Sequence, residues 1–309
     1  MTTSTRVSAR RLTKRFGDFT AVDGIDFEVR AGEVFGFLGP NGAGKSSTMR
    51  MVGATSDRSG GELSVLGLDP SHHGTQIRSR LGVVPQEDNL DLELSVSDNL
   101  YVYGRYFGLP RRQLRGRIAE LLEFAQLSER AADKVDNLSG GMKRRLTIAR
   151  GLINEPELVL LDEPTTGLDP QARHLLWDRL YSLKQDGVTL VLTTHYMDEA
   201  EQLCDRLVVM DKGRIIAAGS PRELVDRYVT KEVVELRFPA GQARRAAPRT
   251  DGLARRVEVI ADRLLLYTDD GDATAEHVAS STLQPVSTLV RRASLEDVFL
   301  SLTGRQLDD

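Results

Sequence analysis

The sequence predicts an α/β fold built on a mainly parallel sheet, with a smaller α+β unit at the C-terminal end, and three observations carry that prediction. Short apolar runs without alternation, such as Val34–Leu38 and Leu158–Leu161, have the pattern of strands buried on both faces. Stretches of helical period separate several of them, the arrangement that brings parallel strands side by side. After Thr230 the texture shifts to Arg, Ala and Asp with few glycines, and strands and helices read in the order βαββαβ.

Taken in order, Val7–Leu12 and Ile25–Val29 alternate apolar and polar residues between Gly and Asp breaks, which predicts antiparallel strands. Val34–Leu38, the glycine-rich turn after it and Ser46–Val52 read as strand, loop and helix. Further buried strands are expected at Gly82–Val84, Thr189–Leu192 and Leu207–Met210. Between about residues 87 and 151 the period is helical, with Leu100, Tyr103 and Phe107 and then Ile118, Leu121, Leu122 and Ala125 on single faces, so a helical insertion is expected there. Asp211-Lys212-Gly213-Arg214 has hairpin-turn chemistry. Ser220-Pro221-Arg222-Glu223 combines an N-cap, a proline at the first helical position and a capping-box acid, so a helix runs to about Tyr228.

In the second unit, strands are expected at Val233–Phe238, Val257–Ile260, Leu264–Tyr267 and Val286–Val290, with helices near Gln242–Ala247 and Ala273–Ser280. That order is ferredoxin-like. Ser294–Leu302 closes it as an amphipathic helix capped by Ser294, with Asp297 three residues on. The expected domains are residues 1–229 and 230–309.

Apolar content of 40% with 28% charged residues suits a globular chain and argues against long disordered or collagen-like stretches. A net charge of only −4 lacks the basic excess needed to neutralise a phosphate backbone, which disfavours nucleic acid as a partner. The single cysteine, Cys204, rules out an internal disulfide, fits a reducing compartment and reads as a buried thiol. No signal-peptide pattern opens the chain, and no apolar run approaches the ~20 residues a membrane span needs. A cytoplasmic protein is expected, reaching a membrane through a partner and without direct insertion.

Gly39-Pro40-Asn41-Gly42-Ala43-Gly44-Lys45-Ser46 satisfies the phosphate-loop pattern G-x4-G-K-[ST], between a buried strand and a helix on which Ser47 follows. The backbone N–H groups of such a loop surround phosphate oxygens, Lys45 adds a point charge at the β- and γ-phosphates, and Ser46 can ligate magnesium. The apolar run Leu158–Leu161 ends in Asp162-Glu163. Asp162 can hold the magnesium shell, and Glu163 can face the attacking water as general base. Leu138-Ser139-Gly140-Gly141, before the helix Met142–Gly151, offers a second anion-binding helix N-terminus.

With these residues in this order the chain resembles the ABC ATPases, whose signature Leu138-Ser139-Gly140-Gly141 matches. The resemblance spans about residues 7–228 and implies that Ser139, Gly140 and Gly141 grip the γ-phosphate bound to a second copy, in a head-to-tail ATP-sandwich dimer. It further implies that Gln86 is the Q-loop glutamine sensing magnesium or the lytic water, and that Asp169, in Gly167-Leu168-Asp169, is the D-loop residue meeting the other copy. His195 resembles the switch histidine, which donates to the γ-phosphate and orients Glu163 and water. Phe16 matches the position that stacks on adenine, where the family more often has tyrosine, so a π-face remains without a hydroxyl. Met142 stands where many members have glutamine. With the C-terminal run Ser294–Arg305, this looks like the ABC-2 export group, which includes daunorubicin-resistance and nodulation-factor exporters.

What the resemblance implies is an ATP-binding and hydrolysing exporter subunit with ATP and Mg2+ as cofactors, magnesium being held by Ser46, Gln86 and, through water, Asp162. The partner implied is a separate ABC-2-type permease on the inner face of the cell membrane, passing a drug-, lipid- or saccharide-like cargo. An importer ATPase and a soluble non-transport ABC ATPase are the alternatives. Outside these motifs, His72-His73 reads as solvated in a polar loop, Trp177 as packing, and Lys143–Arg145 as a solvated or phosphate-adjacent basic face. Tyr101, Tyr103, Tyr106 and Phe107 read either as packing or as a groove beside Gln86 for a permease helix.

Overall fold

In the computed structural model, which describes residues 4–304, the opening alternation folds as a hairpin of β1 (Thr5–Phe16) and β2 (Phe19–Arg30). Met1-Thr2-Thr3 and Arg305, the last residue of the C-terminal resemblance, lie outside the described residues. The chain continues through β3 (Val34–Leu38), α1 (Lys45–Val52), β4 (Gly60–Val65), α2 (Pro70–Arg78) and β5 (Leu81–Val84). The helical insertion follows as α3 (Val96–Tyr106), α4 (Arg111–Phe124) and α5 (Gly140–Gly151). After it come β6 (Leu158–Asp162), α6 (Pro170–Gln185), β7 (Thr189–Thr194), α7 (Met197–Leu203), β8 (Arg206–Asp211) and β9 (Arg214–Gly219).

Apolar side chains on both faces drive β3, β6 and β7 into the middle of a six-stranded sheet of order β5-β6-β7-β3-β8-β9. There β3 is parallel to β7 and β8, and β6 is parallel to β5 and β7. Lys212 and Gly213, at φ 47° and 78°, make the left-handed pair that turns β8 back into β9. Strand β4 pairs with β1 to give a second, antiparallel sheet of order β2-β1-β4. Phe27 of that sheet lies 6.0 Å from Phe35 and 5.0 Å from Phe37 between ring centroids, so aromatic contacts on β3 hold the layers together. In the insertion, Leu100, Leu114, Ile118, Leu121 and Leu122 are buried, as their spacing requires.

The described residues divide into two compact units between Ala218 and Gly219, ahead of the boundary drawn at residue 229. The C-terminal unit runs α8 (Pro221–Tyr228), β10 (Glu232–Arg237), α9 (Ala243–Ala246), β11 (Arg256–Ile260), β12 (Arg263–Thr268), α10 (Gly271–Ser280), β13 (Ser287–Arg292) and α11 (Leu295–Thr303). Helix α8 goes with this unit because it packs on α11. Its sheet has the order β11-β12-β10-β13 with every pair antiparallel, the ferredoxin-like arrangement. Alternation on β10 sends Val234 and Leu236 to one core with Leu264, Leu266 and Val278, and Val233 to another with Leu265, Tyr267 and Leu300.

Ser294 and Asp297 form the expected capping box on α11. Asp297, 1% exposed, also accepts from both Nη atoms of Arg291 at 2.7 and 2.9 Å and from Tyr267 Oη at 3.2 Å. Burial, reinforced by Asp297, pushes the Tyr267 phenol up. Strand β13 is an edge, with Val286 and Leu289 exposed.

Two local expectations change. His72 and His73, although exposed, sit on helix α2 instead of in a loop. The helix expected near Gln242–Ala247 is one α-turn, because Pro248 has no N–H to continue it and a 3-10 turn takes over. Cys204 is buried and free. Among the described residues, no helix is long and apolar enough to cross a membrane.

Candidate active site

Close approach explains the glycines between β3 and α1. A Cβ on Gly39 would stand 2.2 Å from Met210 O, and one on Gly44, at φ 100°, 2.5 Å from Ala21 O. The loop closes on Lys45, whose Nζ donates to Gly39 O at 2.6 Å and Pro40 O at 3.0 Å. Burial pushes this ammonium down in pKa, while Glu163 and Asp162 oppose the shift. Asn41 and Gly42 are exposed at the loop's tip, Ala43 is buried beneath it, and Ser46 and Ser47 are half-buried on the first turn of α1. Ser46 Oγ donates to Asp162 Oδ1 at 3.3 Å.

Asp162 ends β6, and the same Oδ1 accepts from Thr193 Oγ1 of β7 at 2.5 Å. Glu163 then adopts φ 45°, a left-handed conformation that side chains rarely take. Thr193 stabilises that turn by accepting the Glu163 N–H on its carbonyl at 3.2 Å and on Oγ1 at 3.0 Å. The turn swings a carboxylate only 7% exposed back toward the loop. Its Oε1 lies 3.8 Å from Lys45 Nζ and 3.2 Å from His195 Nδ1, the latter contact without hydrogen-bond alignment. Its Oε2 accepts from Gln86 Nε2 at 3.3 Å and Thr166 Oγ1 at 3.2 Å. The His195 ring packs against Tyr196 at a tilt of 41°, with centroids 4.0 Å apart.

Lys45, Ser46, Gln86, Asp162, Glu163 and His195 therefore converge where β3, β5, β6 and β7 end, the C-terminal edge at which parallel sheets place their sites. A cavity of about 400 Å³ adjoins them, lined by Ser46, Arg50, Val84, Gln86, Leu160 and Asp162. The oxygens of Ser46 and Asp162, with the Gln86 amide on the same wall, are the hard donors that magnesium takes beside phosphate oxygens and water.

The other expected residues stand apart. Phe16 ends β1, 53% exposed, with Lys14 Nζ 4.9 Å from its ring centroid. Ser139 caps α5 by accepting from Met142 N at 3.3 Å, and it is exposed together with Gly140, while Gly141 is half-buried. Among the described residues, no hydrogen bond joins Ser139, Gly140 or Gly141 to the Gly39–Ser47 loop. Asp169 caps α6 through Ala172 N at 2.8 Å and is likewise exposed.

Of the two readings of Lys143–Arg145, solvated or phosphate-adjacent, Arg144 departs from the first: it is 3% exposed and its guanidinium bonds to the backbone of the site. Its spacing to Ile148 and Gly151, which are both buried, is the helical signal that marks it as inward-facing. Glu199 and Thr193 were also missed. Burial lifts the Glu199 carboxyl to about 7, with Thr194, Thr165 and Trp177 around it.

A glycine loop holding a buried lysine, facing an acidic strand end, a glutamine and a histidine, defines a P-loop ATPase. Residues 22–166 match the family described as ABC transporter, and residues 242–304 match the C-terminal domain of nodulation factor export protein NodI. The chain is 49% identical to Nod factor export ATP-binding protein I of Ralstonia nicotianae, over 98% of this chain and 95% of the relative. It is 47% identical to the protein of the same name from Rhizobium meliloti, over 98% and 89%. Among solved structures, cbiO1 from Clostridium perfringens superposes with a TM-score of 0.67 at 29% identity, over 72% of this chain and 91% of that one. The ATP-binding cassette MJ0796, a dimer bound to ADP and Pi, gives 0.63 at 27% identity, over 69% and 98%. The chain belongs to the ABC transporter ATP-binding family, alongside the Nod factor export ATP-binding proteins I.

Proposed function

We propose that two copies of this chain clasp Mg-ATP between them and power export through a separate ABC-2-type permease, from the cytoplasmic face of the membrane. The observation that carries the reading is the buried Glu163 carboxylate, aimed at Lys45, Gln86 and His195 together. In this reading Gly39–Ser47 cradle the phosphates and Phe16 stacks on adenine. Glu163 takes the proton of the water that attacks the γ-phosphate as ADP leaves, while His195 and Gln86 orient that water. Ser46, Gln86 and, through water, Asp162 would hold magnesium, which when bound neutralises phosphate charge. ATPase work is assigned to the N-terminal unit and an accessory role to the C-terminal one. The relatives' name supports a Nod factor, or a molecule of its class, as cargo.

Exposure of Ser139, Gly140 and Asp169, away from the Lys45 loop, supports a second copy as their target. Sedimentation of the Glu163→Gln chain with Mg-ATP tests this: a dimer is expected, and Ser139→Arg in the same background returns it to monomer while still binding ATP. A dimer unaffected by Ser139→Arg would place the contact elsewhere.

A further inference from the structure

We infer that Arg144 is a positioning residue that ties the catalytic turn and the glutamine loop to helix α5, so that this helix and the Glu163 carboxylate move as one body. Its guanidinium makes five hydrogen bonds, all to backbone carbonyls. Nε donates to Pro164 O at 2.7 Å, Nη1 to Pro85 O at 2.5 Å and Gln86 O at 3.2 Å, and Nη2 to Asp162 O at 3.2 Å and Glu163 O at 3.3 Å. Asp88 Oδ1, 3.6 Å away, offsets the charge.

A guanidinium buried to this degree is unfavourable unless its donors are satisfied, and an apolar side chain would pack the same space without that requirement. What an apolar residue could not do is join two loops. Two of the five carbonyls precede or belong to Gln86, and three belong to the Asp162-Glu163-Pro164 turn. That turn contains the left-handed Glu163, whose carboxylate direction is set by its backbone. A planar fork with five N–H groups can hold both loops together, and an ammonium with three cannot reproduce the geometry. Arg144 lies on the helix that Ser139, Gly140 and Gly141 begin. A displacement of that end by nucleotide on a second copy is thereby transmitted to the base and the glutamine of this copy. The inference rests on the reading of Glu163 as general base.

The test uses the full chain with Mg-ATP and compares Arg144→Lys and Arg144→Met in the wild-type and Glu163→Gln backgrounds. Misplacing a reacting group by about 1 Å lowers rate by up to roughly 100-fold, so kcat should fall roughly 10- to 100-fold in the wild-type background. The equilibrium Kd for ATP, titrated in EDTA so that Gln86 and Asp162 have no metal to hold, should stay within about 3-fold, because the Lys45 loop is untouched. In the Glu163→Gln background the same substitutions should cost a clearly smaller fraction of residual turnover than in the wild-type background, since the base is already gone and only the Gln86 side of the tie is left to lose. An equal fractional loss in both backgrounds, a parallel loss of ATP affinity, or an unchanged kcat each overturns the inference. Should Arg144→Met not fold, Arg144→Lys decides. Wild-type turnover by Glu163→Gln alone would instead remove the base itself.

Discussion

Replacing Glu163 by glutamine separates chemistry from binding at this site. The amide keeps the carboxylate's shape, and its oxygen can still accept from Gln86 Nε2 and Thr166 Oγ1 as Oε2 does now. The left-handed turn persists, because its own N–H holds it to Thr193. What disappears is the proton acceptor, worth roughly 10²- to 10⁴-fold in rate, or about 3–5 kcal/mol of barrier. A negative charge 3.8 Å from Lys45 Nζ disappears with it. At an effective dielectric near 20 that attraction amounts to about 4 kcal/mol. Its removal frees the ammonium for phosphate, so ATP affinity should hold or rise. Single-turnover phosphate release, run beside an equilibrium nucleotide titration, reads both quantities. Turnover within about tenfold of wild type, or affinity falling in step with turnover, would refute the assignment of the base.

Lys45→Met should weaken ATP binding by roughly 10²- to 10⁴-fold, the loss of two charge-assisted hydrogen bonds of about 1.5–3 kcal/mol each; unchanged affinity in a titration contradicts the phosphate role. Burial lifts the Glu199 carboxyl from 4.5 to about 7, so between those values the folded chain keeps a proton that the unfolded chain releases. The resulting stability is complete below the unfolded value and lost as pH rises through the folded one. Glu199→Gln should flatten that loss of up to about 3 kcal/mol, seen in denaturant melts near pH 5 and near pH 8; an unaltered slope in the variant rules Glu199 out as its source. Asp297→Ala strips Arg291 and Tyr267 of a shared acceptor and removes one half of the α11 capping box, which should lower stability by about 1–3 kcal/mol. An unmoved denaturant midpoint would show that this carboxylate holds nothing in place.

Residues whose neighbours in sequence are also their neighbours in the fold were legible from sequence. The loop between β3 and α1 could be placed because a continuous apolar run precedes it and a helical stretch follows, and the glycine spacing did the rest. The ferredoxin-like character of the C-terminal unit followed from its βαββαβ succession. The convergence of Gln86 and His195 on Glu163 was expected through resemblance alone, since pairing of β5 with β6 and β6 with β7 is what brings them together. Arg144 was misread because a Lys-Arg-Arg run is ordinarily solvated, and only its acceptors, spread over two distant loops, make its burial tolerable. Thr193 looked like one more β-branched strand residue, and its hydroxyl role depends on β6 lying alongside. The α8 boundary was missed because α11, its packing partner, lies at the far end of the unit.

Among the described residues, strand β13 is bonded to β10 alone, and Val286 and Leu289 beside it are exposed. An open row of N–H and C=O groups next to apolar side chains is a template for another strand. In concentrated solution, clumping should therefore begin at this rim, with the exposed charge of Arg292 at its end as the main guard against it.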